Sequence, residues 1–200
     1  MIKRMLLAVP VLVLAVVAGL AAQEDMSKGK SKFYNDTFVP TPDEVTGKML
    51  ELSKCTKDSI VYDLGCGEAD MLIFATKKYG CKCMGIEFNP ERADKAREKV
   101  KKAGLDKMIE IRTGDALTVK DIGKADIIIL YMFPGFLNHM REEYEGKWKS
   151  GARIASHDYK WETPGWEPDV ALNDFKGPTR THRIYLWTAP AKKSSSKEKS

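Results

Sequence analysis

Ser59-Ile-Val-Tyr-Asp-Leu64 runs directly into Gly65-Cys66-Gly67, and the segment from Ala69 to Tyr79 then places Leu72, Ile73, Ala75 and Thr76 at helical spacing before Gly80. A β-rich run, a turn with two glycines and an amphipathic helix, in that order, constrain this chain more than any other segment. A strand followed by a helix of this length crosses over right-handedly and demands a parallel neighbour. Lys82-Cys-Met-Gly-Ile-Glu87 supplies it. The pattern then repeats. Asn89-Pro90 opens a charged helix that Gly104 ends, and Met108 to Thr113 is a third strand. Ala125-Asp-Ile-Ile-Ile-Leu-Tyr131 is the apolar strand expected at the centre of a parallel sheet. Phe136 to Lys149 reads as a helix and Ala152 to Ser156 as a fifth strand. The alternation predicts an α/β fold with a Rossmann-like, doubly wound, mostly parallel sheet. Residues 161–177, rich in Pro, Gly, Trp and Asp, read as a loop with some extended structure. Arg183 to Thr188 is expected to return antiparallel as the edge strand.

Upstream, Thr41-Pro42-Asp43-Glu44 has the composition of a helix start, with Thr41 as cap and Glu44 completing a capping box. Val45, Met49, Leu50 and Leu52 stripe that helix to about Lys54. Residues 1–22 read differently. Lys3 and Arg4 precede a nearly unbroken apolar run from Met5 to Leu20, and Gly19-Leu-Ala21 offers small residues for a signal peptidase. The run suits either a signal peptide or an N-terminal membrane anchor. The expected body is therefore exported or membrane-anchored, with the side of the membrane left open because lysines flank the run on both sides. Residues 23–37 form a polar linker, 38–190 the folded domain, and 191–200 a disordered Lys/Ser tail.

Charge narrows the partners. The chain carries 33 Lys and Arg against 28 Asp and Glu, a formal +5. Lys3, Arg4 and the terminal Lys192, Lys193, Lys197 and Lys199, less Glu198, account for the whole excess, so residues 22–190 are neutral. A neutral body argues against a nucleic-acid partner, which requires many phosphate-neutralising cations on one face. The four cysteines lack the spacing of a metal site, so no metal is expected. Cys55 and Cys81 precede neighbouring strands and are candidates for pairing, although free thiols are the favoured reading.

The chemistry concentrates at the strand ends. Gly65 and Gly67 allow close backbone approach to a ligand, and Glu87 sits where a carboxylate accepts from ribose hydroxyls. This much fits NAD as well as other nucleotides. Position 70, however, is Asp where a dinucleotide fingerprint has a third glycine, and Glu68 and Asp70 place anionic charge where a pyrophosphate would sit. Asp63 suits a cationic ligand with an α-ammonium group, which points to S-adenosyl-L-methionine. Gly114-Asp115-Ala116 ends the third strand, within reach of an adenine amino group.

Asp63-Leu-Gly-Cys-Gly67, Gly85-Ile-Glu-Phe-Asn-Pro90 and Gly114-Asp-Ala116 together resemble the seven-β-strand, class I methyltransferases. Phe38-Val-Pro-Thr-Pro-Asp-Glu-Val45, Leu130-Tyr-Met-Phe-Pro134, Arg153-Ile-Ala-Ser-His-Asp-Tyr159 and Trp166-Glu-Pro-Asp169 are similar to segments of one subgroup. It comprises the ATP synthase c-subunit and adenine nucleotide translocase lysine methyltransferases and their bacterial relatives. The resemblance spans Phe38 to Thr188 and implies a seven-stranded sheet with an antiparallel edge strand. It implies S-adenosyl-L-methionine as cofactor, held at Asp63, Gly65, Gly67, Glu87, Asp115 and Tyr131, with Cys66, Phe88 and Ala116 in the same motifs. It also implies a protein lysine as acceptor. A small-molecule N- or O-acceptor, or a non-catalytic cofactor-binding envelope protein, is the alternative. Thr41, Phe133, Pro134, His157 and Asp158 are the candidates to line the acceptor channel. For His157 a packing role is an equal reading, and Phe133 and Trp166 also suit a core or lid. The subgroup carries Asp-Gly-Arg where this chain has Glu68-Ala69-Asp70, which removes a cation beside the loop.

Overall fold

The computed structural model describes residues 37–162 and 164–190. The apolar run, nearly all of the linker and the Lys/Ser tail lie outside the described residues. Among the described residues no helix is long and apolar enough to cross a membrane.

The order along the chain is α1 (Asp43–Leu52), β1 (Ile60–Leu64), α2 (Asp70–Tyr79), β2 (Lys82–Glu87), α3 (Pro90–Lys102), β3 (Ile109–Thr113), a 3-10 turn (Ile122–Lys124), β4 (Ile127–Leu130), α4 (Pro134–Tyr144), β5 (Arg153–His157), β6 (Val170–Lys176) and β7 (Thr181–Thr188). One seven-stranded sheet runs β3-β2-β1-β4-β5-β7-β6. Its first five strands pair in parallel, and β7 pairs antiparallel with both β5 and β6. The order reverses direction between β1 and β4, which opens a ligand crevice beyond their carboxyl ends.

β4 explains why both faces must be covered. Ile127 and Ile129 enter one apolar cluster with Val45, Leu50, Leu72 and Ala96 from α1 to α3. Ile128 and Leu130 point to the other, with Leu137, Met140 and Tyr144 of α4 and Trp148, Trp161 and Trp187. All four β4 side chains are buried, and each contributes about 1.5–3 kcal/mol of burial energy. The alternating side chains of one strand thus tie both layers to the sheet.

Three expectations are corrected. β7 is not the edge. It lies between β5 and β6, so the outer strand is β6, inside the segment read as a loop with some extended structure. Val170 and Leu172 are half-buried in alternation, but a register shift between Leu172 and Phe175 breaks the period of two and hides the strand from a pattern search. Thr41 does not cap α1: the N-cap residue is Pro42, with no side-chain cap bond, and Thr41 is buried elsewhere. The helix read to Lys149 stops at Tyr144, where Glu145 leaves helical geometry and Gly146 adopts φ +75°.

Candidate active site

β1 carries the first element of the site. Asp63 pairs with Gly85 on β2 and Ile129 on β4 in the middle of the sheet, and its side chain is fully buried. Neither carboxylate oxygen has a hydrogen-bond partner. Burial, with the nearby Glu87 carboxylate second, pushes its pKa well above the usual carboxylate range. An orphaned buried carboxylate is expensive, so a complementary cation or donor fits there.

The loop after β1 is held by its neighbour strand. The N–H groups of Gly65 and Cys66 both donate to the Ile86 carbonyl at 2.9 Å. Gly65 has φ +105°, and a Cβ there would lie 2.7 Å from Met132 Sδ. Gly67 has φ +55°, and its Cβ would fall 2.1 Å from Phe38 Cε2. The positive φ favours glycine at both positions, and a Cβ would in addition force Met132 or Phe38 to move. Cys66 is buried, and burial pushes its thiol pKa up, so it packs rather than reacts. Glu87 ends β2 almost wholly buried. Its Oε2 accepts from Gly67 N–H at 3.0 Å, and its Oε1 accepts from Asn89 N–H at 2.8 Å and faces Arg92 Nη1 at 3.2 Å. One carboxylate therefore joins the glycine loop to the start of α3. Phe88 follows it, half-buried. Asp115 Oδ1 accepts from Leu117 N–H at 2.8 Å, a turn-closing bond. Ala116 is buried and its carbonyl accepts from Tyr144 Oη at 2.6 Å.

The acidic pair in the loop does something other than the sequence implied. Lys99 of α3 reaches back to Asp70 at 2.6 Å and Glu68 at 3.6 Å. The one lysine offsets half of the pair's negative charge, which weakens the argument from charge against a pyrophosphate without removing it. Ala69, in the position where the subgroup has glycine, adopts φ +68°, a strained conformation worth about 1–2 kcal/mol.

The other half of the site lies on β4, β5 and β7. His157 is fully buried, and its Nδ1 lies 3.1 Å from Thr41 Oγ1 while its Nε2 lies 2.8 Å from His182 Nδ1. Thr41 is thus a structural partner of His157. Burial lowers the His157 pKa to about 4, against the pull of Asp158, so the ring is neutral. A neutral imidazole donates at one nitrogen and accepts at the other, so donation runs in one direction along Thr41–His157–His182. His182 is buried with Nε2 unpartnered.

Asp158 follows β5 in a left-handed conformation, φ +60°. Its Oδ1 accepts from Arg183 N–H at 2.9 Å, and its Oδ2 pairs with Arg180 at 2.5 Å. Burial alone would raise the Asp158 pKa, but Arg180 and the Arg183 N–H hold it below the usual value. Tyr131, after β4, sits with its hydroxyl 3.4 Å from both Asp158 Oδ2 and Arg180 Nη2 and its ring 4.0 Å from His157. Tyr159 stacks 6.0 Å from Tyr131 and lies 5.3 Å from Phe133, which is 45% exposed. Pro134 is the first residue of α4 and restricts the preceding Phe133 to the extended backbone it adopts. His157, Asp158 and His182 are also the described residues whose ligand atoms cluster within 4.8 Å. In this arrangement their mutual hydrogen bond and Arg180 satisfy those atoms internally. Trp166 lies elsewhere, stacked with Trp161 and Trp187 and under Arg141. The four cysteines are free and buried.

Arg180, His182, Met132, Arg92 and Lys99 belong to the site's surroundings and escape a motif search. Only Arg92, one turn into the helix after Glu87, carries a local signal. The others arrive through long-range contacts.

Comparison with known proteins agrees with this geometry. Residues 63–170 match the ANTKMT methyltransferase domain. A protein-lysine N-methyltransferase of Saccharolobus islandicus (strain REY15A) is 33% identical over 151 residues, 75% of this chain and 91% of that protein. An RNA methyltransferase from Salinibacter ruber, solved in complex with S-adenosyl-L-homocysteine, superposes with a TM-score of 0.70 at 32% identity, covering 78% of this chain and 97% of that one. A precorrin-6y C5,15-methyltransferase from Geobacter metallireducens GS-15 shares the fold, with a TM-score of 0.58 at 19% identity. The chain belongs to the ANTKMT methyltransferase domain family and is an S-adenosyl-L-methionine-dependent methyltransferase.

Proposed function

We propose that the enzyme methylates the ε-amino group of a protein lysine. The observation that carries this reading is the carboxylate of Asp158, 3.4 Å from the Tyr131 hydroxyl at one end of an aromatic row that continues through Tyr159 to the exposed Phe133. A long apolar stem ending in a cation matches such a row, since the rings would pack the methylenes and the carboxylate would attract the ammonium. The identity to the archaeal protein-lysine N-methyltransferase supports the same reading.

At the cofactor end, Gly65 and Gly67 would let the backbone approach the ligand, Glu87 would accept from its ribose hydroxyls, and Asp63 would face its α-ammonium group. Asp115, Ala116, Phe88, Cys66 and Tyr131 would border the remainder. When bound, S-adenosyl-L-methionine supplies a methyl carbon activated by a sulfonium. The chain's own work is to align the acceptor nitrogen with that carbon at about 3–3.5 Å and to keep water out.

Incubation of the full chain with cell extract and methyl-tritiated S-adenosyl-L-methionine, followed by acid hydrolysis, tests the acceptor. N-methyl-lysine in the hydrolysate is the expected product. Label that nuclease digestion releases would instead favour RNA, the substrate class of the Salinibacter protein, and label confined to small molecules would favour the small-acceptor alternative. We further propose that residues 1–22 export or tether the body; topology reporters fused after residues 37 and 190 would place it.

A further inference from the structure

Asp158 is an unusual anion for an enzyme surface. Its backbone stands in a left-handed conformation that a residue with a Cβ adopts at a cost of about 1–2 kcal/mol. Two backbone bonds hold it there: Asp158 N–H donates to the Arg183 carbonyl at 2.8 Å, and Oδ1 accepts from Arg183 N–H at 2.9 Å. With Oδ1 anchored to β7, Oδ2 faces the hydroxyl of Tyr131, whose ring stacks on Tyr159. The Oδ2 neighbours are the Tyr131 hydroxyl and His157 Nε2, each at 3.4 Å, and the Arg180 guanidinium at 2.5 Å. Tyr131 and His157 are uncharged, so Arg180 is the cation that balances Asp158.

Arg180 is poorly placed to be a permanent partner. It stands on the turn between β6 and β7, with its side chain 47% exposed against 15% for Asp158. An ion pair with one partner half in water contributes about 0–1 kcal/mol. A competing cation entering between Tyr131, Tyr159 and Phe133 therefore displaces it at little cost, and the freed guanidinium moves into solvent.

We propose that Asp158 is the receptor for the acceptor's ammonium group and that Arg180 is an internal placeholder cation that the acceptor displaces. This rests on the lysine reading above and adds a specificity rule: the mouth admits alkylammonium groups that outcompete a tethered guanidinium. The ammonium docks on Oδ2 and passes one proton to water at the open edge of Asp158. The amine nitrogen then forms its bond to the methyl carbon as the carbon–sulfur bond breaks, the electron pair stays on sulfur, and S-adenosyl-L-homocysteine leaves. Asp158 and Arg180 position the acceptor and do not enter the bond changes.

The test uses n-butylammonium, the bare lysine side chain, titrated by NMR into the full chain saturated with S-adenosyl-L-homocysteine. Arg180→Gln is expected to bind it about tenfold more tightly than the parent protein, since the competitor is gone. Asp158→Asn, which keeps the left-handed backbone, is expected to lose at least about tenfold. In the double variant the gain from Arg180→Gln disappears. A purely structural Arg180, bracing the β6–β7 turn, predicts the opposite sign: weaker binding and a lower melting temperature. Unchanged or weaker binding in Arg180→Gln overturns the proposal, as does absence of binding in every variant at 50-fold the concentration used for S-adenosyl-L-homocysteine saturation. Failure of the lysine reading shows separately, as label missing from lysine in the hydrolysate while the titration stands.

Discussion

The two halves of the cleft are built on opposite plans. On the β1–β2–β3 side each polar group comes from the end of one strand, and its partners lie in adjacent loops: Glu87 holds Gly67, Asn89 and Arg92. Asp63 alone is left with no hydrogen-bond partner. On the β4–β5–β7 side the groups hold one another across the fold, as Thr41 to His157, His157 to His182, and Asp158 to Arg180. The first half is a local cradle in which one buried carboxylate, Asp63, is unpaired. In the second, Asp158 already has a cation in Arg180, although His182 Nε2 stays unpartnered, so a cationic ligand at Asp158 must displace something. A common cofactor is best met by preorganisation, and a selective acceptor site by competition.

The comparison breaks first at Glu87. Replacement by Ala should lower S-adenosyl-L-homocysteine affinity about a thousandfold, roughly 4 kcal/mol, because it removes the ribose acceptor and unties the glycine loop. Asp158→Asn should change that affinity by no more than about twofold, and calorimetry on both variants decides whether cofactor binding is confined to one half. A similar loss in Asp158→Asn would erase the distinction.

Acid should attack the other half. Unfolded, His157 titrates near 6.5; folded, its pKa is lowered to about 4. The unfolded chain therefore holds more protons between these values. The stability is fully present above about pH 6.5 and falls as pH drops toward 4, by up to about 3 kcal/mol. Urea titrations between pH 7.5 and 4.5 should show a shallower slope in His157→Gln, and an unchanged slope would remove His157 from the account.

Asp63 offers a smaller effect with two signs. Asp63→Asn should weaken S-adenosyl-L-homocysteine about tenfold, roughly 1.4 kcal/mol, while raising the ligand-free melting temperature by about 2–5 °C. Its folded pKa lies above the unfolded value, so the ligand-free protein loses stability as pH rises from about 3.8, a trend that Asn should abolish. A fall in melting temperature would mean that the carboxylate is structurally required. Least of all, Lys99→Met should shift cofactor affinity by about threefold or less, because its ion pairs are largely solvated.

How much of this was legible follows from range. Gly65, Gly67 and Glu87 could be read because strand, turn and helix chemistry is local, and their roles depend on residues within about one βα unit. β6 was illegible because a register shift spoils its alternation, and its place at the edge depends on β7 inserting beside β5. Glu68 and Asp70 read correctly as an acidic pair, but Lys99, which offsets part of their charge, lies a helix away and carries no local signal.

The sequence alone determined the alternating α/β order, the glycine cradle and the acids at successive strand ends, because backbone conformation and strand termini are set by near neighbours. Only the tertiary structure decided that Thr41 belongs to His157 rather than to its own helix, that His182 and Arg180 join the site, and that Asp63 is the acid left without a partner. Those outcomes depend on which buried groups find hydrogen bonds at distances of up to 116 residues along the chain, and burial is a property of the packed sheet.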